Sequence, residues 1–390
     1  MTHGPVASGS VAPGAAAQGP VVIAAAGTGG HIYPGLALAE ALARRSPGRR
    51  IVFTGTPRGL ETTLVPQAGY PLELYPMVPV AGRNRYRAPF ALVRSAFRAR
   101  RVLKAERAAV AVSMGGYGGI PLVLGARLAR VPVAVHESGA VAGRANVLAS
   151  RFTKNVALSF DSAAKDFPGV PTVTTGMPLS GALAGFDREA LRAQARAAYG
   201  LAADQRMVLV VGGSQGAQTL NTASVGLASR WSSGPYARED VRIVLKTGRA
   251  HEAEVLAAIE AAGCGDRITA QAYLDRMDHA YAAADVILAR AGAGTVAEVA
   301  VAGLPAVFVP YPGAVDDHQA VNAGPLVDAG AAVLVRDADA TAERLAAELE
   351  PLLDDEVLRA ERAGIAASLG HAHAADELAE WVLAVAGGAA

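Results

Sequence analysis

The sequence predicts an α/β protein of two doubly wound, Rossmann-like domains with an interdomain cleft. Three observations predict it. Short apolar runs alternate with helical patterns twice over, as parallel strands covered on both faces require. Four glycine-rich loops each follow one of those runs. A chain of 390 residues exceeds one ordinary core and suggests two domains of roughly 150–200 residues each. A composition of 52% hydrophobic residues, 43 glycines and only 5% aromatics fits an Ala/Val-rich α/β architecture with many turns.

Residues 1–19 are rich in Gly, Ala, Ser and Pro and lack both a basic n-region and a continuous apolar segment. They are expected to be a disordered leader rather than a signal peptide. The first domain is expected over 20–180. Val21–Ala26 reads as a buried strand and Gly35–Arg45 as a helix with Leu36, Ala39 and Leu42 on one face. Ile51–Thr54 and Gly59–Ala68 repeat the pair, and Val110–Ser113, Val133–His136 and Asn155–Leu158 continue the strands. Residues 180–205 carry Arg and Ala but few large apolar groups and read as a linker. The second domain, 181–368, has strand patterns at Met207–Val211, Arg242–Leu245, Ile268–Ala270, Asp285–Ala289, Ala306–Val309 and Ala332–Leu334, and a helix near 341–354. A last helix near 374–387, within 369–390, is expected to pack back on the first domain.

A net charge of +1 gives no global attraction to nucleic acid. The single cysteine, Cys264, excludes an intramolecular disulfide and a cysteine-based metal cluster, consistent with a reducing cytosol. No uncharged apolar run reaches the length of about 18 residues that a membrane span needs.

The most informative stretch is Arg290-Ala-Gly-Ala-Gly-Thr-Val-Ala-Glu298, between a strand-like run and an apolar helical pattern. A helix opening at Thr295 directs free N–H groups and the positive end of the helix toward a phosphate. Glu298 lies near enough to that start to accept from a ribose diol. The same residues also read as a Thr295–Glu298 capping box. The other loops, Gly27-Thr-Gly-Gly-His31, Gly115-Gly-Tyr-Gly-Gly119 and Gly212-Gly-Ser-Gln-Gly216, match neither GxGxxG nor the Walker pattern, so a nicotinamide fingerprint is absent. Each alone could be a tight turn; four spread over both halves suit a cleft that admits phosphates close to the backbone.

These loops, with Tyr273-Leu-Asp-Arg-Met277 and Asp316-Asp-His-Gln-Ala-Val-Asn-Ala323, form an ordered set from about residue 20 to about residue 385. The set closely resembles the MurG family of bacterial peptidoglycan N-acetylglucosaminyltransferases, in glycosyltransferase family 28. The resemblance implies a GT-B fold and an inverting transfer without cofactor or metal. N-acetylglucosamine passes from UDP-N-acetylglucosamine to the C4 hydroxyl of undecaprenyl-pyrophosphoryl-N-acetylmuramoyl-pentapeptide (lipid I). It implies a peripheral enzyme at the cytoplasmic face of the membrane, an acceptor- and membrane-facing first domain, a UDP-sugar-binding second domain, and cell-wall synthesis proteins as partners. By motif, Glu298 binds the ribose, Ala293, Gly294 and Thr295 meet sugar and diphosphate, and Ser214 adds a hydroxyl. Tyr273 and Leu274 lie along the uracil, Gln319 and His318 reach the sugar, and Asn322 supports their loop. Thr28, Gly29, Gly30, Gln215 and Arg290 complete the donor set. Asp316-Asp317 is not a DxD pair and is not expected to hold a metal.

The acceptor hydroxyl needs a base. His31 is the leading candidate, with loop anchoring as its alternative role, and Glu137 is the rival base or an orienting partner. Tyr117 is expected to wall the acceptor side. Between Arg83 and Arg107 nine basic residues (Arg83, Arg85, Arg87, Arg94, Arg98, Arg100, Arg101, Lys104, Arg107) face one acid, Glu106. Phe90, Val93 and Phe97 share one helical face, rimmed by Arg94, Arg101 and Lys104; Leu92, Ala96, Ala99 and Leu103 share another. The second stripe is expected to pack on the first sheet and the Phe stripe to meet an anionic membrane surface. A solvated basic face with both stripes buried is the alternative.

The chain departs from the family pattern at Ser138, Gly139, Met177 and Ser180, where Gln, Asn, Asn and Arg are usual. These departures leave room for a paralogue with a different lipid-linked or secondary-metabolite acceptor. A UDP-N-acetylglucosamine 2-epimerase shares the architecture but needs neither an acceptor base nor a basic docking helix, and a non-catalytic nucleotide-binding subunit needs only half the cleft.

Overall fold

A computed structural model describes residues 18–76, 88–179, 181–183, 185–213 and 215–388. Most of the leader, Arg83, Arg85, Arg87, Ser180 and Ser214 lie outside the described residues. The first half alternates β1 (Val21–Ala24), α1 (Gly29–Arg45), β2 (Ile51–Gly55), α2 (Glu61–Gln67) and β3 (Leu72–Leu74). It continues with α3 (Ala88–Ala105), β4 (Val110–Ser113), α4 (Ile120–Ala129), β5 (Val133–Glu137), α5 (Arg144–Ala149), β6 (Asn155–Leu158) and β7 (Thr172–Thr174). These strands form one parallel sheet in the order β3-β2-β1-β4-β5-β6-β7. The inner strands are buried on both faces, and so their sequences are continuous apolar runs.

The second half opens with α6 (Arg188–Ala198), β8 (Arg206–Val211), α7 (Gln218–Ser232), β9 (Val241–Lys246), α8 (Glu252–Ala261), β10 (Ile268–Gln271) and α9 (Met277–Ala283). There follow β11 (Val286–Ala289), α10 (Ala293–Ala302), β12 (Ala306–Phe308), α11 (His318–Asp328), β13 (Ala332–Leu334), α12 (Ala342–Asp354), α13 (Glu356–Ser368) and α14 (Ala374–Gly387). Its parallel sheet has the order β10-β9-β8-β11-β12-β13.

Residues 188–198, expected within a linker, are instead a helix of the second half. Ala195 and Leu191 pack α6 on the second core, and arginine adds polar attachments: Arg192 donates to the carbonyls of Ala282 (3.0 Å) and Ala284 (3.2 Å) and pairs with Asp285 at 2.6 Å. Orphan carbonyls at the end of α9 are thereby satisfied. Helix α14 returns to the first half, where Leu378, Ala379, Val382 and Val385 join the core of α1 and the first sheet. Met177, Leu179 and Leu183, in the opposite crossing, belong to the second core.

Candidate active site

In each sheet the chain works outward and then restarts beside its first strand, so the loops after β1 and β4, and after β8 and β11, diverge. Such reversals leave a crevice beyond the carboxyl ends of the strands. The four glycine loops sort into these crevices, two in each.

In the first crevice α1 begins at Gly29 behind the N-cap Thr28, whose side chain makes no capping bond. His31 Nδ1 lies 3.4 Å from Thr28 Oγ1. Its ring rests on the next loop: a methyl at Gly115 would stand 3.0 Å from His31 Cδ2 and 3.2 Å from Nε2. Gly115 also has φ +99°, so both backbone conformation and imidazole contact require glycine there. Burial lowers the His31 pKa from its ordinary value. Tyr117 is exposed at the same mouth. Thr28, Gly29 and Gly30 lie with His31 at the β1/β4 crevice, in the other half from Glu298.

Glu137 grips the loop that follows it. Its carboxylate accepts from Gly139 N–H at 2.8 Å, Gly143 N–H at 2.9 Å and Asn146 Nδ2 at 2.9 Å. Two donors from the following loop and one from α5 hold the carboxylate in place, and burial raises its pKa. Sequence reasoning missed two further organisers. Buried Glu61 ties the first loop to β2, accepting from Gly27 N–H at 3.0 Å and Thr56 N–H at 2.7 Å. His136 Nε2 donates to Gly176 O at 3.2 Å in the crossing between halves, and Ser138 Oγ lies 3.4 Å from its Nδ1. Burial brings the His136 pKa down to about 4.

In the second crevice α10 begins at Ala293 with Gly292 as N-cap, and its first i→i−4 bond is Val296 N–H to Gly292 O at 3.0 Å. The N–H groups of Ala293, Gly294 and Thr295 thus precede the intrahelical ladder, and the first turn carries no acid. Thr295 is inside the helix, not its cap, so no Thr295–Glu298 capping box exists. Glu298 instead accepts from buried Tyr281 Oη at 2.6 Å. Burial raises the Glu298 pKa, opposed by that bond and by Lys246, whose own pKa burial lowers. Tyr273 is exposed between cations, its ring centre 5.8 Å from Lys246 Nζ and 5.5 Å from Arg249 Cζ, while Leu274 is buried beside it. Lys246, Arg249 and Tyr281 were not singled out from the sequence. Only the polar end of an apolar strand hinted at Lys246.

The third glycine loop packs against the end of β9: a methyl at Gly216 would lie 1.8 Å from Thr247 O. Gln215 is exposed on that loop. Arg290 follows β11. Its buried guanidinium donates to Val309 O (3.0 Å) and Pro310 O (3.1 Å) and pairs with Asp337, which leaves it a brace among loops. Gln319 and His318 start α11, and Gln319 Oε1 accepts from Tyr311 N–H at 2.9 Å. Asn322 is buried: its Oδ1 accepts from Ala140 N–H across the domains at 2.9 Å, and its Nδ2 donates to Ala291 O at 3.3 Å.

The two stripes of α3 separate. Ala96, Ala99 and Leu103 are buried, chiefly against α4 and only partly over the sheet, because Gly125 lets the helices approach: a methyl there would lie 2.7 Å from Ala99 Cβ. Phe90 and Phe97 are 80% and 52% exposed, with Arg94, Arg101 and Lys104 exposed around them, so the two stripes are not both buried. Among the described residues no helix is long and apolar enough to cross a membrane.

The models for the glycosyltransferase family 28 N-terminal and C-terminal domains match residues 21–158 and 207–378. A relative from Saccharopolyspora erythraea is 44% identical over 94% of this chain and 94% of its own length; it is named UDP-N-acetylglucosamine–N-acetylmuramyl-(pentapeptide) pyrophosphoryl-undecaprenol N-acetylglucosamine transferase. The crystal structure of Acinetobacter baumannii MurG superposes with a TM-score of 0.74 at 31% identity, covering 93% of this chain and 99% of that one. A Neisseria meningitidis UDP-GlcNAc 2-epimerase bound to UDP-GlcNAc has a TM-score of 0.66 at 14% identity, with 93% and 99% coverage, a likeness of fold alone.

Proposed function

The chain belongs to glycosyltransferase family 28, and from that premise we propose that it transfers N-acetylglucosamine from UDP-N-acetylglucosamine to the C4 hydroxyl of lipid I, with inversion. The observation that carries this reading is the 44% identity over 94% of the chain to a relative named for that transfer.

In the proposed mechanism Glu298 accepts from the ribose diol, Tyr273 and Leu274 flank the uracil, and Gln319 and His318 meet the sugar. The first-turn N–H groups of α10 surround the diphosphate. They supply fixed positive ends where charge grows as the C1–O bond to UDP breaks. On the other side, the N–H groups of Gly29 and Gly30 receive the pyrophosphate of the acceptor. With Nδ1–H donated to Thr28, His31 Nε2 takes the proton of the C4 hydroxyl as its oxygen bonds to C1. The exposed Phe90/Phe97 face with its arginine rim docks the enzyme on anionic lipid at the cytoplasmic face, where the acceptor is presented.

Incubation with UDP-N-acetylglucosamine, with and without a lipid I analogue, tests the reading. UDP release that depends on the analogue is expected; formation of UDP-N-acetylmannosamine, or release only with other lipids, would assign another reaction or acceptor.

A further inference from the structure

We infer that Asn322 is a positioning residue that fixes the diphosphate-binding end of α10 to the acceptor-side loop through one buried amide. Asn322 is 1% exposed, and both ends of its side chain are occupied. Toward the first half, Oδ1 takes Ala140 N–H at 2.9 Å. Toward the second, Nδ2 donates at 3.3 Å to the carbonyl of Ala291, next to the N-cap Gly292.

Each partner is itself held. Ala140 O accepts from Ser162 Oγ at 3.0 Å, and the neighbouring Ala142 N–H bonds Asp166 at 2.9 Å. Ala140 also follows the Gly139 that Glu137 grips. The N-cap of α10 is therefore joined to the β5 loop by two hydrogen bonds and one rigid side chain. A displacement of about 1 Å between two reacting groups can cost roughly 100-fold in rate, so an amide that sets one half against the other controls turnover without touching either substrate.

This role rests on the proposed transfer for its kinetic readout and on the geometry for its stability readout. Two variants separate them: Asn322→Leu removes both bonds, and Asn322→Ala leaves space for a water to replace them. UDP affinity is read by calorimetry, turnover with saturating donor and a lipid I analogue, and unfolding by scanning calorimetry. The expected result is a UDP Kd within about threefold of the parent, turnover lower by about 10–100-fold in the Leu variant and less in the Ala variant, and a melting transition that broadens or splits as the halves uncouple. UDP affinity falling in step with turnover would make Asn322 a donor contact and overturn the inference, as would parental turnover in both variants. Should the parent chain bind no UDP, the proposed transfer fails, and a transition as sharp and single as the parent's in both variants would then overturn the clasp separately.

Discussion

His31 keeps a neutral imidazole to lower pH than an ordinary histidine because burial penalises the charged ring. In the proposed mechanism the neutral form is the base, so the acid limb of kcat/KM is expected below pH 6.5, and a pH–rate profile checks it. His31→Ala is expected to lower turnover ~10²–10⁴-fold with little change in UDP affinity. His136 affects stability instead. Unfolded, it takes a proton near pH 6.5; folded, it withholds one until about pH 4. Between those values the unfolded chain binds more protons, so stability falls as pH drops from 6.5 to 4. His136→Asn should flatten that slope, measured as urea midpoints at pH 7 and 4.5. At Glu298, replacing the carboxylate with Gln should weaken the proposed charged hydrogen bonds to the ribose and reduce UDP affinity about 10–100-fold by calorimetry. Among the departures, Ser138 has a definite use beside His136, whereas any side chain at Gly139 would start 2.9 Å from Val141 O. An Asn there requires the Glu137 loop to move.

At the scale of elements, α10 offers a sharper test than any deletion. No atom lies within 4 Å of a methyl built at Gly294, so Gly294→Asp fits sterically and its charge suits the helix dipole. It should leave the melting temperature unchanged or raised while weakening UDP binding at least about tenfold, because the carboxylate occupies the field meant for phosphate. On α3, Phe90→Ser with Phe97→Ser should abolish flotation with anionic vesicles while UDP affinity persists; equal recovery with the parent removes the docking role. The central strands were legible because burial on both faces writes continuous apolar runs. β3 and β7 were not, since three residues at a half-exposed sheet edge leave no pattern. α6 escaped for a different reason: its polar anchors are arginines on carbonyls far along the chain. The glycine loops were legible as loops. What Glu137, Arg290 and Asn322 do was not, because partners brought by tertiary structure decide it.

Across the whole molecule, the two halves exchange material at their junction. Met177 and Leu179 join the second core, and α14 completes the first. Truncation after Gly370 should therefore expose the α1 face and make the chain insoluble. Removing the half-buried Asp376 and exposed Glu380 partners of Arg44 and Arg45 should cost at most about 1 kcal/mol, as thermal unfolding would measure. The return of α14 was legible as a terminal amphipathic pattern, but the contact that places it was not: a methyl at Gly176 in one crossing would meet His371 Cβ of the other at 2.4 Å. That return also orders events during synthesis. One wall of the earlier-made sheet is a helix translated after the whole second sheet, so a nascent chain holding all of β1 to β7 still lacks the layer that covers Val21, Ile23 and Val112. The first half therefore waits for the second; the histidine loop gains its finished scaffold only after the crevice beyond β8 and β11 has been fully translated.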